Sequence, residues 1–220
     1  PNDEYALAHE GEYGKTEMWV ILEAEESAGL YYGFNRTISR EEYQRRIEDN
    51  TLLEVLNWVP VHKGDVFFIE AGTVHAIGKG IVICEIQQNS NTTYRVYDYD
   101  RRDAQGNTRP LHIQQALQVS RLEPPSRDSS CTAPEQRDGY TLQQLADCSY
   151  FKTQRLQLDG TAQLEVYHHS FQSLIVTEGG GTLSMEGCTL PLTKGCSVFI
   201  PAQDRAYTIS GRCEIICSQV

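Results

Sequence analysis

Short runs of β-branched and aromatic residues recur along most of the chain, broken by Gly, Pro, Asn and Asp. Apolar stretches alternating with turn residues predict strands. They are expected at 17–22 (EMWVIL), 66–70, 81–87, 164–166, 173–176, 198–200 and 213–217. Two patches follow a helical period instead. Ser39 with Glu42 three residues on is a capping-box start, and the stretch to Asn57 carries Tyr43, Ile47, Leu52, Leu53 and Leu56. The second patch, 112–119, places Ile113, Ala116 and Leu117 at helical spacing after Pro110. Residues 121–138 are Pro/Ser-rich without periodicity and read as a connection between two β units.

The two halves share a motif. KGDVFFIEAGTVHA begins at Lys63 and KGCSVFIPAQDRAY at Lys194, a constant offset of 131 residues. It matches Gly64 with Gly195, Phe68 with Phe199, Ile69 with Ile200 and Ala71 with Ala202. Two copies of one β-barrel unit are the reading. At this offset His75 meets Ala206, so the imidazole belongs to the first copy alone, which assigns the chemistry to the first unit.

Composition narrows the function. Lys and Arg number 19 against 30 Asp and Glu, a formal net charge of −11. A polyanion would be repelled at long range, so nucleic acid and anionic membrane are not expected partners. A small phosphorylated ligand needs only a few local cations. No apolar run approaches the roughly 18–20 residues of a membrane span, and the first residues lack the pattern of a signal peptide. Seven scattered cysteines with no C-x-x-C pair read as reduced thiols of a cytoplasmic protein.

Two carboxylates and one imidazole stand out. Glu17 opens a strand that is apolar on both faces, where a carboxylate must sit at an end, be paired, or bind metal. Glu85 raises the same question in IVICEIQQ, sharing a face with Ile81 and Ile83. His75 follows Gly72 in a pattern, Gly64-Asp65, Glu70, Gly72, His75, that resembles the second motif of the cupins, with Glu70 at the usual proline. Cupins are small jelly-roll β-barrels in which that His points inward at a metal.

The strings GKTEMW (14–19), EAGTVHAI (70–77) and EIQQNSNTTYRVYDYDR (85–101) together resemble the type I mannose-6-phosphate isomerases, in particular the short bacterial form. The resemblance covers essentially the whole chain. It implies a mainly β fold of two cupin-type jelly-roll units: a metal-binding unit over 1–120 with a helical insertion at 39–57, a linker at 121–138, and a degenerate second unit over 139–220. It implies a zinc enzyme, one Zn²⁺ per subunit, interconverting mannose 6-phosphate and fructose 6-phosphate, acting as a monomer or homodimer. The family's metal ligands are a Gln-x-His before Pro-x-Asp, the Glu of K-x-E and the His of G-x-x-H. Glu17 and His75 carry over. Pro1, Asn2 and Asp3 stand at the Pro-x-Asp, so the chain is expected to begin just after the first two ligands. Two protein ligands are too few for tight zinc, and the chain as written is expected to be a weak metal binder and a poor enzyme.

Lys15, Glu85 and Arg95 match residues lining the family's substrate pocket, and Asn91 stands where many members have Asp. An aldose–ketose isomerisation moves a proton between C1 and C2 through an enediolate. Zinc would act as Lewis acid, Glu85 as the base or its orienter, Arg95 as a fixed cation for enediolate charge, and Lys15 as an aid to phosphate or oxyanion. Asp98, Asp100, Arg101, Arg102 and Asp103 read as a solvated ion-pair cluster. A metal-free sugar-phosphate-binding or regulatory cupin is the alternative function. A cupin dioxygenase would call for several imidazoles and a redox metal.

Overall fold

A computed structural model describes residues 1–126 and 131–220. The chain is mainly β and divides into two compact units, Pro1–Arg127 and Asp128–Val220. Of the Pro/Ser-rich stretch, 127–130 lie outside the described residues, and both of its ends are structured. The Leu122 carbonyl accepts from the Ile38 N–H, and Glu135–Arg137 form a strand.

The first unit holds strands β1 (Glu17–Ala24), β2 (Gly29–Phe34), β3 (Leu56–Pro60), β4 (Val66–Ile69), β5 (His75–Ile77) and β6 (Ile81–Gln87). They form two three-stranded antiparallel sheets, ordered β4-β1-β6 and β3-β2-β5. Trp19 and Ile21 from β1 meet Leu30 from β2 and Ile69 from β4 in one core, so the inner faces of both sheets are desolvated together. Each fully buried aliphatic or aromatic side chain there contributes about 1.5–3 kcal/mol of transfer free energy. β1 is buried on both faces, from Glu17 through Ile21.

Three helices complete the unit: α1 (Asp3–His9), α2 (Arg40–Glu48) and α3 (Ile113–Val119). Ser39 caps α2 by accepting from the Glu42 N–H, whereas the Glu42 carboxylate turns to Arg36 and Arg46. The helix is shorter than the 39–57 expected. Asn50 takes a left-handed conformation (φ 56°) past the C-cap, a short 3₁₀ turn follows at Leu52–Val55, and Leu56 and Asn57 already belong to β3. The apolar residues assigned to one helix instead pack from three elements onto a shared core with Phe34 and Ala116.

The second unit is a single seven-stranded antiparallel sheet: β7 (Glu135–Arg137), β8 (Tyr140–Asp147), β9 (Lys152–Val166), β10 (Gln172–Met185), β11 (Cys188–Thr193), β12 (Ser197–Ile200) and β13 (Arg205–Gln219). Its long strands run through glycines that the sequence pattern treats as turns. Gly181 pairs with Gly211, and Gly211 with Gly160. At Gly211 φ is +146°, and an added Cβ would lie 2.5 Å from the Gly180 carbonyl oxygen. Bare backbone lets three adjacent strands bend at one level and fold the sheet over its own core. That core collects Leu156, Leu174, Ile209 and Ile215.

The repeat is structural. β4 and β12 occupy positions 131 residues apart, with Gly64 (φ +95°) and Gly195 (φ +88°) in the turns before them. The Gly64 N–H donates to Ile21 O at 2.8 Å, as Gly195 N–H does to Val176 O at 2.8 Å. Both β1 and β10 carry a bulge just after those residues.

Candidate active site

Glu17 begins β1, pairing in register with Ile69 of β4 and Gln87 of β6. Because side chains alternate along a strand, Trp19 shares its face. The Trp19 partner across β6 is Glu85, which sets the two carboxylates diagonally on one sheet. His75 enters from the other sheet, opposite Tyr32 of β2. The loop that delivers it turns at Gly72 (φ +90°), where a Cβ would stand 2.5 Å from the Val119 carbonyl oxygen at the end of α3. Glu70, at the usual proline of this motif, ion-pairs with Arg121, whose backbone N–H donates to Gly72 O at 2.9 Å. The missing proline is thus replaced by a side-chain tie across the same loop.

These elements converge. His75 Nε2 lies 3.6 Å from Glu17 Oε1, and Lys15 Nζ lies 3.7 Å from the same oxygen and 3.8 Å from Glu85 Oε1. The other Glu17 oxygen, Oε2, accepts from the Trp19 indole N–H at 3.3 Å. His75 Nδ1 is 2.8 Å from the Thr73 carbonyl, so it carries the proton and leaves Nε2 as a lone pair facing Glu17. The Trp19 ring meets the imidazole edge-on, 5.1 Å between centroids at 85°. Glu17 is only 3% exposed. Burial holds His75 below its usual value, with the Lys15 charge acting the same way and the Thr73 carbonyl opposing. Burial, then the neighbouring Glu17 carboxylate, pushes Glu85 above the ordinary carboxylate range.

Lys15, Glu17 and His75 face a cavity of about 180 Å³. Thr92, Thr93 and Tyr94 also line it, together with Val119 and Ser120 at the end of α3. Behind Ser120 the hydroxyl of Tyr43, 0% exposed on α2, makes a 3.0 Å hydrogen bond. Sequence reasoning missed this hydroxyl wall, because Thr and Ser in an unpatterned segment look like ordinary loop residues. Of the five candidate residues, Lys15, Glu17 and His75 meet on the cavity and Glu85 adjoins them through Lys15. Arg95 does not join them. Its neighbours Tyr94 and Val96 line the cavity, while its guanidinium donates to the Pro110 carbonyl at 3.2 Å. The Arg95 backbone N–H donates to His112 Nδ1 at 2.8 Å, pinning that segment to the start of α3.

Do these residues fit a zinc ion? Bonds of about 2.0–2.2 Å to imidazole nitrogen and carboxylate oxygen set tetrahedral ligands about 3.4 Å apart. The observed 3.6 Å between His75 Nε2 and Glu17 Oε1 matches one such edge. The Thr73 carbonyl on the far ring nitrogen is the orienting contact a metal-ligating His ordinarily has. Glu17 and His75 therefore fit as two donors. Among the described residues no group of three or more His, Cys, Asp or Glu is placed to hold an ion.

Two facing sheets with an inward His–Glu pair, followed by a second copy of the same strand frame, define a two-unit cupin. The comparisons give the family. A family model described as the mannose-6-phosphate isomerase cupin domain matches residues 141–220. The chain is 40% identical over 222 residues to mannose-6-phosphate isomerase ManA of Bacillus subtilis (strain 168), covering 100% of this chain and 69% of that protein. It is 36% identical over 219 residues to a mannose-6-phosphate isomerase of Streptococcus mutans, covering 99% and 68%. A crystal structure of a mannose 6-phosphate isomerase from B. subtilis superposes with a TM-score of 0.93 at 35% identity, covering 100% of this chain and 69% of that one. A phosphomannose isomerase from Salmonella typhimurium, 16% identical with a TM-score of 0.73 over 99% and 74%, shares the fold. The chain belongs to the type I mannose-6-phosphate isomerases. No helix among the described residues is long and apolar enough to cross a membrane.

Proposed function

We propose that this chain carries the reaction site of a zinc-dependent isomerase interconverting mannose 6-phosphate and fructose 6-phosphate through an enediolate. The observation that carries this reading is the meeting of Lys15, Glu17 and His75 on one cavity, with Glu85 beside them. Glu17 Oε1 and His75 Nε2 would hold the ion, as two of the protein ligands a catalytic zinc takes. When bound, zinc supplies Lewis-acid polarisation of the sugar oxygens, worth several kcal/mol of barrier.

The chain's own groups do the rest. Glu85, beside the cavity through Lys15, would take the proton from one of C1 and C2 and return it to the other, a role worth roughly 10²- to 10⁴-fold. Lys15 Nζ, within 4 Å of both carboxylates, offsets the buried charge of Glu17 and would present a cation to the developing oxyanion. Thr92, Thr93 and Ser120, which also line the cavity, would offer hydroxyls to the sugar. The oxyanion role expected of Arg95 would require its guanidinium to leave the Pro110 carbonyl, to which it donates at 3.2 Å.

The test is a coupled isomerase assay with metal analysis on the intact protein. Glu17→Ala and His75→Ala should lose zinc and turnover together, whereas Glu85→Gln should keep zinc and lose turnover. Unchanged isomerase rates in metal-depleted His75→Ala protein would overturn the assignment. Sugar-phosphate binding without turnover in the zinc-loaded protein would point to the regulatory cupin instead.

A further inference from the structure

The two oxygens of Glu17 are not equivalent. Oε1 faces His75 Nε2 and Lys15 Nζ, at 3.6 and 3.7 Å. Oε2 is turned the other way, onto the indole N–H of Trp19 at 3.3 Å. Trp19 is 2% exposed in the core between the two sheets, so its N–H has no water to donate to and must find an acceptor inside the protein. The two residues lie on one face of β1, two positions apart, and the same ring presses its edge on the His75 imidazole. One indole thus touches both members of the pair.

A carboxylate can rotate about its terminal torsion, which is broad and nearly two-fold. Left to itself, Glu17 could present either oxygen, or both, and a buried carboxylate held by Lys15 alone would have that freedom. A donor fixed on Oε2 by a packed ring removes it and leaves Oε1 as the single oxygen aimed into the cavity. The second unit lacks this device. Gln172 and Leu174 hold the places of Glu17 and Trp19 in the matching strand pair.

We propose that Trp19 is a positioning residue for the metal: its indole N–H occupies Glu17 Oε2, so that Glu17 binds through Oε1 alone and meets His75 at a fixed angle. This rests on the zinc reading above, and the test separates the two. Trp19 and Trp58 are the chain's two tryptophans, and Trp58 is 46% exposed. In a ¹⁵N–¹H spectrum of the intact protein, the indole N–H peak missing from Trp19→Phe belongs to Trp19 and the one missing from Trp58→Phe to Trp58. In Glu17→Gln, where the acceptor loses its charge, the Trp19 peak should move while that of Trp58 stays. With Zn²⁺ as the probe, competed against a chelator, Trp19→Phe should bind about 10- to 100-fold more weakly than the unsubstituted protein. A Trp19 peak indifferent to Glu17→Gln overturns the proposal. So does a Zn²⁺ affinity in folded Trp19→Phe within twofold of the original. Should the unsubstituted protein take up no Zn²⁺ at all, the metal reading falls, whereas the indole peak still decides whether Trp19 holds Glu17.

Discussion

Replacing Gly72 with alanine tests whether the His75 loop is held against the end of α3. Two costs arise there and they are separable. Gly72 has φ +90°, and an L side chain in that region costs about 1–2 kcal/mol. The new Cβ would also stand 2.5 Å from the Val119 carbonyl oxygen, a backbone atom that cannot rotate away. Forcing a methyl into such a packed contact costs about 1–3 kcal/mol more, for a total of roughly 2–5 kcal/mol. Gly64 supplies the control: its φ is +95°, yet an added Cβ meets nothing within 4 Å. Gly64→Ala should therefore show the first cost alone. Unfolding in urea followed by tryptophan fluorescence reads the first unit by itself, since Trp19 and Trp58 both lie within Pro1–Arg127. Equal losses in the two variants would refute the reasoning, because they would mean that the Val119 carbonyl yields and the loop is not clamped. A larger loss at Gly72 should be accompanied by weaker zinc binding, as Gly72 lies three residues before His75.

Tyr43→Phe removes only the hydroxyl that backs Ser120, and in the same urea assay should cost about 0.5–1.5 kcal/mol; no loss would show that the bond adds nothing to the cavity wall. Arg109 holds the Asp98 carboxyl below the usual carboxylate range. Since the folded pKa is the lower one, the pair's stabilisation is complete above the unfolded value of about 3.9 and fades as pH falls through the folded value. Arg109→Ala should bring the Asp98 pKa measured by NMR back toward about 3.9, and an unshifted value would point to a different partner. Burial pushes the Cys84 thiol up to about 11 and that of Cys217 to about 12, while Cys188 is exposed. A thiol reagent at pH 8 should therefore modify Cys188 before Cys84 and Cys217, and the reverse order would contradict the burial.

The strands legible in the sequence were those whose pattern is local. β1, β4 and β6 are apolar runs closed by turn residues, and they fold as such. What was not legible depends on distant parts of the chain. Gly160, Gly181 and Gly211 carry the usual mark of a turn, yet they sit within strands because three neighbours must bend together, a fact visible only once the strands are paired. Leu56 continues a helical spacing from Ile47, and only the Asn50 reversal and the pairing of β3 with β2 move it into a sheet. The site follows the same division. A charge in an apolar strand singles out Glu17 and a glycine-turn motif singles out His75, and the fold brings the two within 3.6 Å. The Arg95 guanidinium donates to the Pro110 carbonyl and its backbone N–H to His112, contacts that no spacing encodes.

The second unit shows how little of a site resides in its backbone. Gln172 pairs with Ile200 as Glu17 does with Ile69, and Leu174 pairs with Cys217 as Trp19 does with Glu85. The frame is the same, and the charged groups are gone. Where Glu17 faces an imidazole, the Gln172 side-chain oxygen accepts a 2.7 Å hydrogen bond from the Tyr207 hydroxyl, a buried phenol whose pKa burial raises. Where Glu85 stands, Cys217 is a buried thiol that stays protonated at neutral pH. An amide and a phenol satisfy each other without charge, so this interior needs no ion and no counter-charge. Glu17 and His75 have no such mutual solution. A 3% exposed carboxylate with a lysine at 3.7 Å and a neutral imidazole at 3.6 Å is a costly arrangement for folding alone. The neutral pair in the matching frame shows that folding does not require it, which places the burden of explaining Glu17 and His75 on chemistry.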